Sequence, residues 1–135
     1  MFFHQVSRYL ALFGRILYSA IFILASFGHF SKQTIEYAAN RGIPMAEILV
    51  PLFGVIALIG GVSVLLGFYA RIGAWLLIIF LLPATFMMHT FWTISDPKAA
   101  MLEQIMFMKN LALLGAAFLI AHFGSGPFSI RADRT

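Results

Sequence analysis

The sequence contains no cysteine, and its charge is thin: nine Lys/Arg and five Asp/Glu in 135 residues. The missing thiols exclude disulfides, thiolate metal sites, iron–sulfur ligation and dithiol relays. Any redox role therefore depends on a bound cofactor, such as a quinone, or on a partner protein. Charged residues make up 10% of the chain, where a soluble domain carries about 25%. No two Lys/Arg residues are adjacent, so the basic footprint of a nucleic-acid partner is missing. The net charge of +4 suits loops that face anionic lipid.

What is abundant is apolar side chain, at 61%. A small water-soluble fold buries only part of its surface, so lipid must solvate the remainder. Four apolar stretches, approximately 9–30, 47–68, 71–92 and 102–123, each match the roughly 20 residues that cross a hydrocarbon core. The expected fold is an all-α membrane protein, one antiparallel four-helix transmembrane bundle with both termini on one side. The first stretch exceeds the roughly 7–15 apolar residues of a signal peptide, and no small-x-small cleavage site follows it. It is expected to remain as a span.

The connections differ in kind. Thr34–Asn40 reads as a short interfacial helix before the Gly42-Ile43-Pro44 turn signal. Gly67-Phe68-Tyr69-Ala70-Arg71 is tight enough for an antiparallel hairpin. Ser95 or Asp96 is placed to cap a helical turn begun by Pro97. Four basic residues, Arg8, Arg71, Arg131 and Arg134, flank the termini side, against Lys32, Arg41 and Lys98 opposite. The positive-inside rule then leans toward cytoplasmic termini, by one residue. Small residues mark packing seams: Ala57-x-x-x-Gly61, Gly60 and Ser63-x-x-x-Gly67 in the second span, Ala112-x-x-x-Ala116 and Ala117-x-x-x-Ala121 in the fourth. Such seams permit a homo-oligomer as well as a monomeric bundle. Pro83 lies mid-span in the third stretch and is expected to kink it, freeing the carbonyl of Ile79.

Polar residues at membrane depth are costly, and each is a candidate for function. Arg15 lies about six residues, roughly 9 Å, into the first span. At 100° per residue, Arg15, Ser19, Phe22, Ser26 and His29 share one face. The bland alternative for Arg15 is snorkelling to the headgroups. Ser19 and Ser26 favour the bundle interior instead, with a hydrogen bond from Arg15 to another helix. Thr85, His89 and Trp92 stand at i, i+4 and i+7 in the third span, although a terminal Trp commonly belongs to the aromatic belt. The fourth span begins with Glu103 and places Lys109 and Asn110 about 10 Å deep. Helix directions bring His29, His89, Trp92, Glu103, Lys109 and Asn110 toward the end away from the termini. Such a set suits a polar headgroup, a proton relay or a structural network. Two His and one Glu would suffice for a metal, but neither HxxxH nor ExxH occurs on one helix, so no metal site is assigned.

Several segments resemble the DoxX family of small four-helix membrane proteins. They are Gly14-Arg15-Ile16-Leu17, Phe27-Gly28-His29-Phe30 and His89-Thr90-Phe91-Trp92 with Asp96-Pro97. More specific are Phe107-Met108-Lys109-Asn110-Leu111-Ala112-Leu113-Leu114-Gly115 and Gly124-Ser125-Gly126-Pro127-Phe128-Ser129-Ile130. The resemblance covers nearly the whole chain. It implies a four-helix bundle in a bacterial inner membrane. It also implies partners among redox proteins, because members have been linked to quinol oxidase and thiosulfate:quinone oxidoreductase complexes and to oxidative-stress assemblies. One departure stands out: the family usually follows Gly-Pro-x-Ser-x with an acid, whereas here Arg131 follows Ile130 and the acid waits until Asp133.

The leading expectation is a membrane subunit of a quinone-linked assembly that binds quinol-like headgroups near His29, His89 and Lys109. Its rival is a non-catalytic assembly protein whose polar groups only specify packing. A small four-helix exporter ranks third, because that class depends on an acid in its first helix where this chain has Arg15.

Overall fold

A computed structural model describes residues 1–132. Asp133, Arg134 and Thr135 lie outside the described residues, and with them the late acid and one of the four basic residues of the charge count. The helices are α1 (Phe2–Gly28), α2 (Lys32–Asn40), α3 (Ala46–Leu66), α4 (Ala70–Phe86) and α5 (Pro97–Phe123), with one 3-10 turn at Phe91–Thr93. Helices α1, α3 and α5 and the segment Ala70–Thr93 are long and apolar enough to cross a membrane. Their outer faces expose Leu17, Leu24, Ile59, Trp75, Ile79 and Leu119, a surface that lipid can solvate and water cannot. The protein is an all-helical membrane bundle.

Local chemistry sets several of the ends. The Ser31 hydroxyl caps α2 by accepting from the Thr34 amide, and Asp96 caps α5 by accepting from Ala99, with Pro97 in the first turn. Helix α1 begins seven residues, and α5 five residues, before the corresponding apolar stretch. Polar first turns cost little where a helix projects beyond the hydrocarbon.

Helix α4 departs from expectation. It does not run on to Trp92; it ends at Phe86, three residues after Pro83. Proline withholds the N–H that Ile79 would accept, which weakens the final turn, and Met87 donates the closing bond to the Pro83 carbonyl. His89 therefore sits in the irregular connection after α4, and Trp92 in the 3-10 segment. Thr85, His89 and Trp92 do not share a helical face, and the Thr85 hydroxyl is buried without a partner.

Helix α1 packs on α3, α3 on α4 and α4 on α5, while α2 lies across α3. The backbones of α1 and α5 scarcely approach each other. The core between the helices is Phe22, Ala57, Val64, Leu77, Leu81, Leu114 and Ala117. Close approach does the work that hydrophobic burial does in water. A Cβ on Gly54 would lie 2.6 Å from the Cβ of His29, so only glycine lets the end of α1 settle on α3. The Ser63-x-x-x-Gly67 spacing is a close-packing seam, with Ser63 against Gly73 of α4 and Gly67 against Ser129, and a turn device as well. Ser63 donates to the carbonyls of Phe68 and Tyr69, and Gly67 adopts φ 65°.

The segment after α5 returns beside the first turns of α1, with the Arg8 guanidinium 4.7 Å from the Phe128 ring centroid. A reporter fused after Thr135 and one inserted within 34–40 are therefore expected to read opposite sides of the membrane. A common side for both would contradict the four-span topology.

Candidate functional site

Two polar assemblies occupy the two ends of the bundle. At the end with the termini, Arg15 is 5% exposed. One guanidinium nitrogen donates to the carbonyls of Ser125 (2.8 Å) and Pro127 (2.7 Å) and to the Ser129 hydroxyl (3.1 Å). The other donates to the Phe128 carbonyl at 2.8 Å. The expectation of an interior Arg15 holds, but its partner is not another helix. It is the segment after α5, which positive φ at Gly124, Gly126 and Phe128 folds back beneath the bundle. Converging carbonyls take the place of a carboxylate. The amides of Ile130 and Arg131 then donate to the carbonyls of Leu66 and Gly67. Arg131, where the family usually has an acid, donates to the Tyr69 hydroxyl and lies over its ring.

Ser19 and Ser26 are fully buried on the same face. Each bonds back to its own helix, Ser19 to the Arg15 carbonyl and Ser26 to that of Ile23, both at 2.6 Å. Both serines are thus satisfied within their own helix, whereas the Arg15 Nε is buried with no hydrogen-bond partner among the described residues.

At the opposite end, Glu103 of α5 is the hub. It accepts from Nδ1 of His89 at 2.7 Å and from the Tyr37 hydroxyl at 3.4 Å, and pairs with Arg41 at 3.9 Å. Arg41 in turn donates to Tyr37 and, at 3.1 Å, to the Thr90 hydroxyl. This network staples α2 to the α4–α5 connection. Sequence reasoning misses Arg41, Tyr37 and Thr90 as members of the site. The one signal it offers is the position of Arg41 at the end of the expected short helix.

Beneath the network lies a cavity of about 210 Å³ lined by His29, His89, Lys109 and Asn110 together with Phe22, Phe80, Leu81, Met88 and other apolar residues. A smaller cavity of about 70 Å³ adjoins it and shares His29, Thr34, Phe80, Ala84 and Met88. Four of the six expected residues therefore meet around one space. Glu103 does not line it but holds His89 from behind. Trp92 is exposed and packs on Phe91 and Phe107, and Phe22 and Phe80 supply the aromatic walls. Asn110 is buried, with no side-chain hydrogen bond among the described residues. Lys109 is exposed, and its ammonium reaches only the Met106 sulfur at 3.7 Å.

The two histidines are held alike. Nδ1 of His29 lies 2.9 Å from the Ala25 carbonyl, which can only accept, so this nitrogen carries the proton. Nδ1 of His89 is likewise taken by Glu103. In both rings Nε2 is the nitrogen left for a ligand, an acceptor when the ring is neutral. Among the described residues, no three His, Asp or Glu side chains converge as metal ligands would.

The sequence profile of the DoxX family matches residues 10–90. The chain belongs to the DoxX family. It is 32% identical over 121 residues to inner membrane protein YqjF of Escherichia coli (strain K12), covering 88% of this chain and 87% of that protein. It is 30% identical over 123 residues to inner membrane protein YphA of the same organism, covering 90% and 87%. No solved structure matches it. The profile ends at Thr90, so Met108-Lys109-Asn110-Leu111 and Gly124-Ser125-Gly126-Pro127, the most specific pieces of the resemblance, lie beyond it. It does contain Arg15, His29 and His89.

Proposed function

We propose that this DoxX protein is a bacterial inner-membrane subunit of a quinone-linked redox or oxidative-stress assembly. Its termini are cytoplasmic, and the cavity at the far end receives a quinol-type headgroup. One observation carries this reading: a single cavity gathers His29, His89, Lys109 and Asn110 against Phe22 and Phe80. Apolar and aromatic walls with a few convergent polar groups are the usual make-up of a small-molecule site. The size supports it too, since an apolar cavity of about 150 Å³ holds one benzene; this one has room for a single substituted ring. Nε2 of a neutral histidine accepts from a quinol hydroxyl, and the protonated ring donates to a quinone oxygen. The inner-membrane assignment draws on the two Escherichia coli relatives.

Purification in mild detergent followed by organic extraction tests the reading. A lipid-soluble quinone recovered in proportion to protein, together with co-purifying redox proteins, is the expected result. Extracts that match a mock purification would count against it.

A second reading has its own observation. The direct His89–Glu103 pair at 2.7 Å, tied to Arg41 and Tyr37, is how a purely structural network would look. In that case the cluster serves to seat α2 on the bundle.

A further inference from the structure

The cavity is too small for a quinone's tail, and its walls show where a tail would lie. Its sides come from α1, through Ile21, Phe22, Ala25 and His29, and from α5, through Lys109, Asn110 and Leu113, with α4 behind. These are the two spans whose backbones scarcely approach each other. Along this seam, Ala25 and Lys109 are exposed and Ile21 and Leu113 are half-buried. Behind them Phe22 and Leu81 are only 2% and 1% exposed. Toward the termini the seam is bridged by the Tyr18 hydroxyl, which donates to the Leu113 carbonyl at 2.7 Å. Above the cavity lie α2 and the Glu103 network.

From this arrangement we infer that the cavity opens sideways into the bilayer, through a slot between α1 and α5 at Ala25 and Lys109. Its occupant is an amphiphile that keeps its hydrocarbon tail among the acyl chains and inserts its head between the helices. This rests on the reading of the cavity as a headgroup site, and adds the class of ligand and its route. A lipid-dissolved molecule reaches the site without crossing water. A water-soluble molecule would have to pass α2, which is held by Arg41, Tyr37 and Glu103. Alanine at 25 leaves the slot open on α1. Lys109, whose ammonium has no carboxylate partner among the described residues, offers a positive rim to an electronegative head.

The test uses the full chain in phosphatidylethanolamine–phosphatidylglycerol vesicles whose acyl chains carry a photoactivatable diazirine. Adducts are mapped after irradiation. Exposed residues such as Leu17 and Leu24 react whatever the slot does. Adducts on Phe22 or Leu81 require the head-proximal carbons of a chain drawn into the slot behind an inserted head, and these are expected in the wild type. Ala25→Phe, and to a lesser degree the smaller plug Ala25→Leu, should remove most inner adducts while sparing those on Leu17 and Leu24. Labelling confined to the exposed residues in the wild type, or inner adducts unchanged in both variants, overturns the slot. Adding an alkyl-tailed benzoquinone separates the two claims. Loss of inner adducts upholds both the slot and the headgroup reading. Inner adducts that persist at saturating benzoquinone uphold the slot for membrane lipid and defeat the quinone.

Discussion

Arg15→Leu is expected to cost more stability than substitution of any residue around the cavity. It would remove the hydrogen bonds that α1 makes to the Gly124–Arg131 segment, leaving the contacts of Arg8 and Tyr9 with the Phe128 ring. The buried carbonyl of Ser125 and the partly buried carbonyls of Pro127 and Phe128, all bonded by the guanidinium, would lose their donor. Hydrogen bonds to a charged group contribute about 1.5–3 kcal/mol each, and stranded buried acceptors carry a cost of about 1–3 kcal/mol. These contributions do not add fully. A loss of about 3–5 kcal/mol, typical of breaking one side of a buried charged contact, is the reasonable scale. In detergent this should appear as a melting decrease on the order of 10 °C, with new protease cleavage within 124–131. Arg15→Lys keeps the charge but loses the planar fork that serves several acceptors at once, so it should fall between the two. An Arg15→Leu protein that melts with the wild type and keeps its tail protected would refute the clamp.

Much of this fold is legible in the sequence, for a physical reason. Lipid leaves helices few alternatives, and four apolar stretches of spanning length permit few arrangements. The burial of Arg15, Ser19 and Ser26 is readable as well, because their spacing puts them on one face. Their partners are not. Nothing in a 100° periodicity reveals that the segment from Gly124 to Ser129 turns back and offers three carbonyls to one side chain. Positive φ at Gly124, Gly126 and Phe128 makes that turn, and the two glycines are only a weak hint of it. Helix α4 misleads in the other direction. Apolar composition continues to Trp92, but hydrogen bonding ends near Pro83, and composition does not register a missing N–H.

The candidate site divides similarly. His29, His89, Lys109 and Asn110 meet because the helix directions bring them to one end, which is a sequence-level inference. Glu103 stands one layer back and Trp92 packs outside, distinctions that depend on how α4 stops. Arg41 and Tyr37 carry no comparable signal, because a loop arginine ordinarily faces water. Here it pairs with Glu103 across the top of the cavity.

The second large effect concerns ligand binding. His89→Phe preserves an aromatic ring of similar size but removes Nε2, and should weaken binding of an alkyl-tailed benzoquinone at least tenfold, or about 1.4 kcal/mol. Glu103 would keep Arg41 and Tyr37, so the bundle should remain folded. Lys109→Leu should also weaken binding, with less effect on stability because the ammonium has no acid partner among the described residues. Glu103→Gln sorts the two readings. If His89 serves a ligand, losing the carboxylate that orients its ring should reduce affinity more than melting temperature. If the network only seats α2, the melting temperature should fall and no affinity be lost.

Equilibrium binding of that tailed benzoquinone to the reconstituted wild type, His89→Phe and Lys109→Leu proteins tests the cavity assignment most directly. Saturable binding to the wild type, weakened at least tenfold in His89→Phe and measurably in Lys109→Leu, is the predicted result. The same affinity in all three, or no saturable binding to the wild type, would contradict it.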